Sequence, residues 1–190
     1  MIAPAPDDLA VLRNRTFDEL RIGDTASVER ALAREDIQLF AAMSGDASPR
    51  YLDSVDDGAG GQDVIAGDAH PQHMGAGDVA SAGMHGVIAQ GMWGGALISS
   101  LLGTRLPGPG TIYLGQSLRF LAPVRSGDRL RVSATVSALD PATRGVTLAC
   151  ACVNQDGVAV IEGEARVIAP SERIERPRAS LPGIRNHGTG

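Results

Sequence analysis

Hydrophobic and polar positions alternate along DRLRVSATVSAL, with Leu130, Val132, Ala134, Val136 and Ala138 set against Arg129, Arg131, Ser133, Thr135 and Ser137. A period of two is the mark of a half-buried strand. TIYLGQSLRFLAPV, GVTLACACVN and VAVIEGEARVI, separated by turn signals, read as three further strands, with NQDG (Asn154 to Gly157) as a hairpin connection. Upstream, TASVERAL (Thr25 to Leu32) predicts a first strand. AREDIQLFAAM (Ala33 to Met43) predicts a helix, with Ile37, Phe40 and Ala41 at helical spacing and acids in the first turn. The most apolar stretch, VIAQGMWGGALISSLLG (about 87–103), is too long for a typical strand and apolar nearly all round, so it predicts a buried helix. Its glycines Gly91, Gly94 and Gly95 each cost about 1 kcal/mol relative to alanine. Close approach of the helix to a sheet or to a ligand is a physical reason to bear that cost. The order strand, helix, long helix and meander calls for α+β architecture, an antiparallel sheet wrapped around a long central apolar helix.

The rest of the chain adds boundaries. A chain of 190 residues is one domain with a real core. Residues 1–14 read as a loose arm, 15–170 as the domain and 171–190, rich in Arg, Pro and Gly, as a linker-like tail. Within the domain, 54–83 holds seven glycines and five aspartates and reads as a long surface loop. A net charge of -5 argues against a nucleic-acid partner. No apolar run approaches the ~18 residues of a membrane span, and the N-terminus lacks the pattern of a signal peptide, so a cytoplasmic protein is expected. Cys150 and Cys152 share a strand face with Val146 and Leu148 and read as buried structural thiols, since side chains at i and i+2 are poorly placed for a disulfide.

Three stretches carry a family likeness: FDELRIGDTASV, FAAMSGDASPRYLD, and IAQGMWGGALISSLLGTRLPGPGTIYLGQSLRFLAPVRSGDRLRV. Together they resemble the MaoC-like (R)-specific enoyl-CoA hydratases of the hotdog fold. The last is especially similar to the hydratase domain of bifunctional enoyl-CoA hydratase/phosphate acetyltransferases. The family pattern reads Gly-Asp, any residue, Asn-Pro, any residue, His. Gly45, Asp46 and Pro49 match it, while Ser48 stands at the Asn position and Tyr51 at the His position. The family's His-Gly-Met at the start of the long helix is here Gln90-Gly91-Met92.

The reaction that the resemblance implies adds water across the double bond of a trans-2-enoyl thioester. It needs a base for the water, an acid for the α carbon and stabilisation of enolate charge. The resemblance places the Gly91 amide at the helix start, where the helix dipole favours developing negative charge. It also places Ser99 in a supporting role. Asp46 remains as a base or a holder of a polar group. Tyr51 cannot replace an imidazole directly, because a phenol titrating near ~10 is a donor at neutral pH. Beside a carboxylate it suits proton movement on a bound substrate better than activation of free water, so ordinary hydration is expected to be crippled. Gln90 reads as filling the space of the lost His.

His70 and His73 form an H-x-x-H pair in the loop, with His85 nearby. Pro71 and the abundant glycine provide no helix to align them, so no metal is expected. One of these histidines could instead supply the absent imidazole. Arg50, Arg105, Arg119 and Arg125 are candidates for CoA phosphates. Three readings remain open: a hydratase or dehydratase-type lyase with altered acid–base groups, a repurposed cyclase or isomerase of a biosynthetic pathway, and a non-catalytic acyl-binding protein. The substrate is expected to be an acyl thioester in which CoA or phosphopantetheine is part of the substrate, with no separate cofactor. The resemblance also implies a homodimer.

Overall fold

A computed structural model describes residues 11–46 and 88–178. Chain order gives β1 (Val11–Arg13), a 3-10 turn (Phe17–Glu19), β2 (Thr25–Ala31), α1 (Arg34–Ser44) and α2 (Gly91–Thr104). The meander follows as β3 (Ile112–Phe120), β4 (Arg129–Asp140), β5 (Gly145–Val153), β6 (Ala159–Ile168) and a short β7 (Glu175–Pro177). Strands β2 to β6 form one antiparallel sheet in the order β2-β4-β5-β6-β3. It closes on α2, as the sequence pattern predicts.

Alternation on β4 explains most of the core. Leu130, Val132, Ala134 and Val136 are buried, and Val132, Ala134 and Val136 lie opposite Cys152, Cys150 and Leu148 of β5. The period breaks at a bulge between Val136 and Ala138. The extra residue turns Ala138 outward and hands its core position to Leu139, which packs against the cluster. The expected inward place of Ala138 is corrected by that bulge.

Helix α2 starts at Gly91 rather than near residue 87: Ile88 forms a bridge with Arg125, and Ala89 donates to the Val124 carbonyl at 2.8 Å. It is buried on one side through Trp93, Gly94, Gly95, Ile98, Leu101 and Leu102, and open at Met92, Ala96 and Ser99. A helix apolar nearly all round can leave a face uncovered when that face borders a cleft. The close approach expected of its glycines is present. A Cβ on Gly94 would lie 2.3 Å from Ile161 Cδ1, and one on Gly91 would lie 2.8 Å from Phe120 Cε1.

The described parts of the arm and of the tail are not loose. Strands β1 and β7 pair antiparallel, and buried Asn14 ties them together. Its amide nitrogen donates to the Glu172 carbonyl at 2.7 Å, and its oxygen accepts from the Ile174 amide at 2.8 Å. Composition misled because the ribbon is held by backbone hydrogen bonds and one buried carboxamide, neither of which needs an apolar pattern.

Cys150 and Cys152 are free and buried on the inner face of β5, as their parity predicts. Burial pushes the Cys150 thiol up to about 11 and the Cys152 thiol up to about 12. A raised folded-state value favours the neutral thiol, so its contribution to stability is complete below the ordinary thiol range and is lost as pH rises through the folded-state values. Stability measured by urea denaturation is therefore expected to hold level from pH 7 to about pH 8.5 and then to fall towards pH 11. Serine at both positions is expected to flatten that decline.

Candidate active site

The described residues border an open cleft of about 560 Å³ between α1, α2 and β3, lined by Phe40 and Met43, by Met92, Gly95, Ala96 and Ser99, and by Tyr113, Gln116 and Leu118. Each element reaches it for a local reason. Helix α1 buries Ile37 and Ala41 against the core and turns Phe40 and Met43 towards α2. It ends where Gly45 adopts the left-handed conformation (φ 74°) that favours glycine at a helix C-terminus. Helix α2 contributes its open face. Strand β3 is the edge of the sheet, and Gln116, Leu118 and Phe120 share its inner face, opposite Ala165, Gly163 and Ile161 of β6.

The polar groups of the cleft are few. Ser99 is exposed on its wall. The Tyr113 hydroxyl donates to Gln116 Oε1, and burial holds the Tyr113 phenol above its ordinary range, with the nearby Cys150 as a lesser cause. Gln116 Nε2 is buried and finds no acceptor among the described residues. An apolar pocket with a few placed polar groups is the usual form of a small-molecule site.

The residues expected from sequence fall into three groups. Ser99 lines the cleft. Asp46, Gln90 and Gly91 are described but are not among its lining residues, although Met43 and Met92, which stand close to them in the chain, are. Asp46 is exposed just past the end of α1, its amide donating to Ser44 Oγ at 3.3 Å. Gln90 precedes α2 and is 6% exposed; its carboxamide has no hydrogen-bond partner among the described residues. A buried amide left unpaired costs about 1–3 kcal/mol. The Cβ direction of Gly91 is taken by the Phe120 ring, so packing by itself calls for glycine there. Ser48, Tyr51, His70, His73 and His85 lie outside the described residues. So does Arg50, while Arg105, Arg119 and Arg125 do not line the cleft, and Arg119 pairs with Glu162 at 3.0 Å.

Phe40, Met43, Tyr113 and Gln116 are cleft residues that the sequence reading missed. The signal for Gln116 was present, since it is a polar residue in phase with Leu118 and Phe120 on a strand face otherwise apolar. Tyr113 gave none, because a bulge between Tyr113 and Gly115 sets its register.

Comparison with known proteins supplies the chemical context. The model of the MaoC like domain matches residues 63–150. An (R)-specific enoyl-CoA hydratase of Rhodospirillum rubrum is 36% identical over 156 residues, covering 82% of this chain and 92% of the relative. A 3-hydroxybutyryl-CoA dehydratase of Methylorubrum extorquens is 35% identical over 175 residues, covering 92% and 97%. Among solved structures, the unliganded R-hydratase PhaJ1 from Pseudomonas aeruginosa superposes with a TM-score of 0.76 at 38% identity, covering 92% of this chain and 98% of that one.

Proposed function

Given that this chain belongs to the MaoC-like family, we propose that it is a lyase that adds water to 2-enoyl thioesters or removes it from 3-hydroxyacyl thioesters. The apolar cleft beside the N-terminal turn of α2 carries this reading, because it offers an acyl group an apolar surface next to the positive end of a helix dipole. CoA or a phosphopantetheine arm is part of the substrate, and the reaction needs no separate cofactor.

The acid–base pair is best assigned to a second copy of the motif. Twenty-two residues after SGDASPRYLD the chain reads AGDAHPQHMG, so that Gly67, Asp68, Ala69 and Pro71 repeat Gly45, Asp46, Ala47 and Pro49. The first copy has Tyr51 at the His position; the second has His73. At the Asn position the two copies have Ser48 and His70. The stretch matched by the family model begins at 63, so it contains the second copy and leaves out the first. In this reading Asp68 and His73 supply together the carboxylate and imidazole of the family pattern, whereas the first copy offers the Asp46 carboxylate with a phenol at Tyr51.

In the hydration direction the pair takes a proton from water as the oxygen bonds to the β carbon. The π electrons move towards the thioester carbonyl, and the α carbon then takes a proton. The exposed first turn of α2 at Gly91 offers backbone N–H groups to the enolate oxygen. Incubation with crotonyl-CoA tests the proposal: loss of absorbance of the conjugated thioester, with 3-hydroxybutyryl-CoA formed, is the expected result. A purified, folded chain that converts neither crotonyl-CoA nor a longer 2-enoyl-CoA would refute it.

The same reading includes a homodimer. Among the described residues strand β3 is an edge of the sheet, and it exposes Ile112 and Leu114 at 58% and 59%. Edge strands with apolar side chains pair with another chain unless covered. Light scattering is expected to give twice the mass of the chain, and Leu114→Lys to shift the equilibrium towards monomer.

A further inference from the structure

The three glycines in the first half of α2, Gly91, Gly94 and Gly95, are not equivalent. Added Cβ atoms at Gly91 and Gly94 would strike Phe120 and Ile161, side chains of the sheet that the helix packs on. At Gly95 a Cβ would enter a gap between Met92 Cε at 3.1 Å and Leu118 Cδ1 at 3.2 Å, the ends of two flexible side chains that both line the cleft. The nearest atoms of other residues are all side-chain atoms. An alanine would therefore be accommodated by packing, and it would save the roughly 1 kcal/mol that glycine costs inside a helix. What glycine preserves at this position is the width of the cleft.

From this we infer that Gly95 determines which acyl groups the protein takes, holding the cleft open for chains well beyond four carbons, with Met92 as its adjustable wall. This rests on the thioester reading above. The cleft measures about 560 Å³. Its walls at Phe40, Met43, Met92 and Leu118 are apolar along their length. Unbranched methionine side chains re-pack around ligands of different length at little cost.

Calorimetric binding of octanoyl-CoA and butyryl-CoA tests the inference, because neither saturated thioester can be hydrated and the result does not depend on turnover. The wild-type chain is expected to bind octanoyl-CoA at least tenfold more tightly than butyryl-CoA. Gly95→Val is expected to cut that preference at least tenfold, and the double variant Gly95→Val, Met92→Ala to regain most of it by giving back the occupied space. An unchanged preference in Gly95→Val, or a double variant that regains none of it, would overturn the role of Gly95. Tighter wild-type binding of butyryl-CoA would overturn the chain-length assignment. A wild-type chain that binds octanoyl-CoA selectively yet hydrates no enoyl-CoA would leave the cleft assignment standing and remove only the catalytic reading.

Discussion

His73→Ala is expected to lower the rate of crotonyl-CoA hydration by a factor of about 10²–10⁴, the usual contribution of a positioned acid–base group. Asp68→Asn is expected to fall in the same range. The double variant should be little worse than either single one, since groups that act as a unit lose their effect together. Tyr51→Phe and Asp46→Asn, made in the first copy of the motif, are expected to stay within threefold of the parent. The comparison is internal: both copies share Gly, Asp, Ala and Pro, so they differ mainly in whether an imidazole stands at the last position. The reverse outcome, with Asp46→Asn inactive and His73→Ala active, would return the chemistry to the first copy and to a carboxylate–phenol pair. A loss confined to KM would assign His73 to binding.

Gly163→Ala is expected to be the most damaging small substitution in the sheet. Gly163 lies on β6 between Cys150 of β5 and Leu118 of β3. A Cβ there would sit 2.0 Å from the Ser117 carbonyl oxygen and 3.0 Å from its carbonyl carbon. Both are backbone atoms of the paired strand, so no rotamer change relieves the clash. The β3–β6 ladder must open or shift instead. Overpacking of a core costs about 1–3 kcal/mol when side chains can adjust, and here the value should lie at the upper end, about 3 kcal/mol. For a domain of this size that corresponds to a fall in Tm of roughly 6–12 °C. Gly115→Ala serves as the control, because an added Cβ there meets nothing within 4 Å. Equal melting temperatures for Gly163→Ala and Gly115→Ala would show that β3 and β6 are not paired in this register. A displaced β3 would also reach the cleft, since Gln116 and Leu118 line it.

Much of the architecture was legible because it depends on short-range periodicity. Alternation along β4 and β5 places Val132, Ala134, Leu148, Cys150 and Cys152 on one face whatever they pack against, and the observed burial agrees. Glycine positions in the 87–103 stretch signalled close packing from sequence alone. The bulge after Val136 was not legible, because a one-residue shift depends on how β5 pairs. Nor was the β1–β7 ribbon, whose strands lie more than 150 residues apart.

The candidate site divides in the same way. Two copies of a Gly-Asp-x-x-Pro motif, one with tyrosine and one with histidine at its end, are facts of sequence that no fold is needed to read. Under the proposed function they are the residues offered for proton transfer. Only the tertiary structure decided that Phe40, Met43, Met92 and Leu118, drawn from α1, α2 and β3, form a single apolar wall. It also decided that Gly95 opens into that cleft while Gly94 meets Ile161. Residue chemistry and local period are properties of the chain itself. The width of a cleft belongs to the packing of distant segments, and it comes into existence only when they meet.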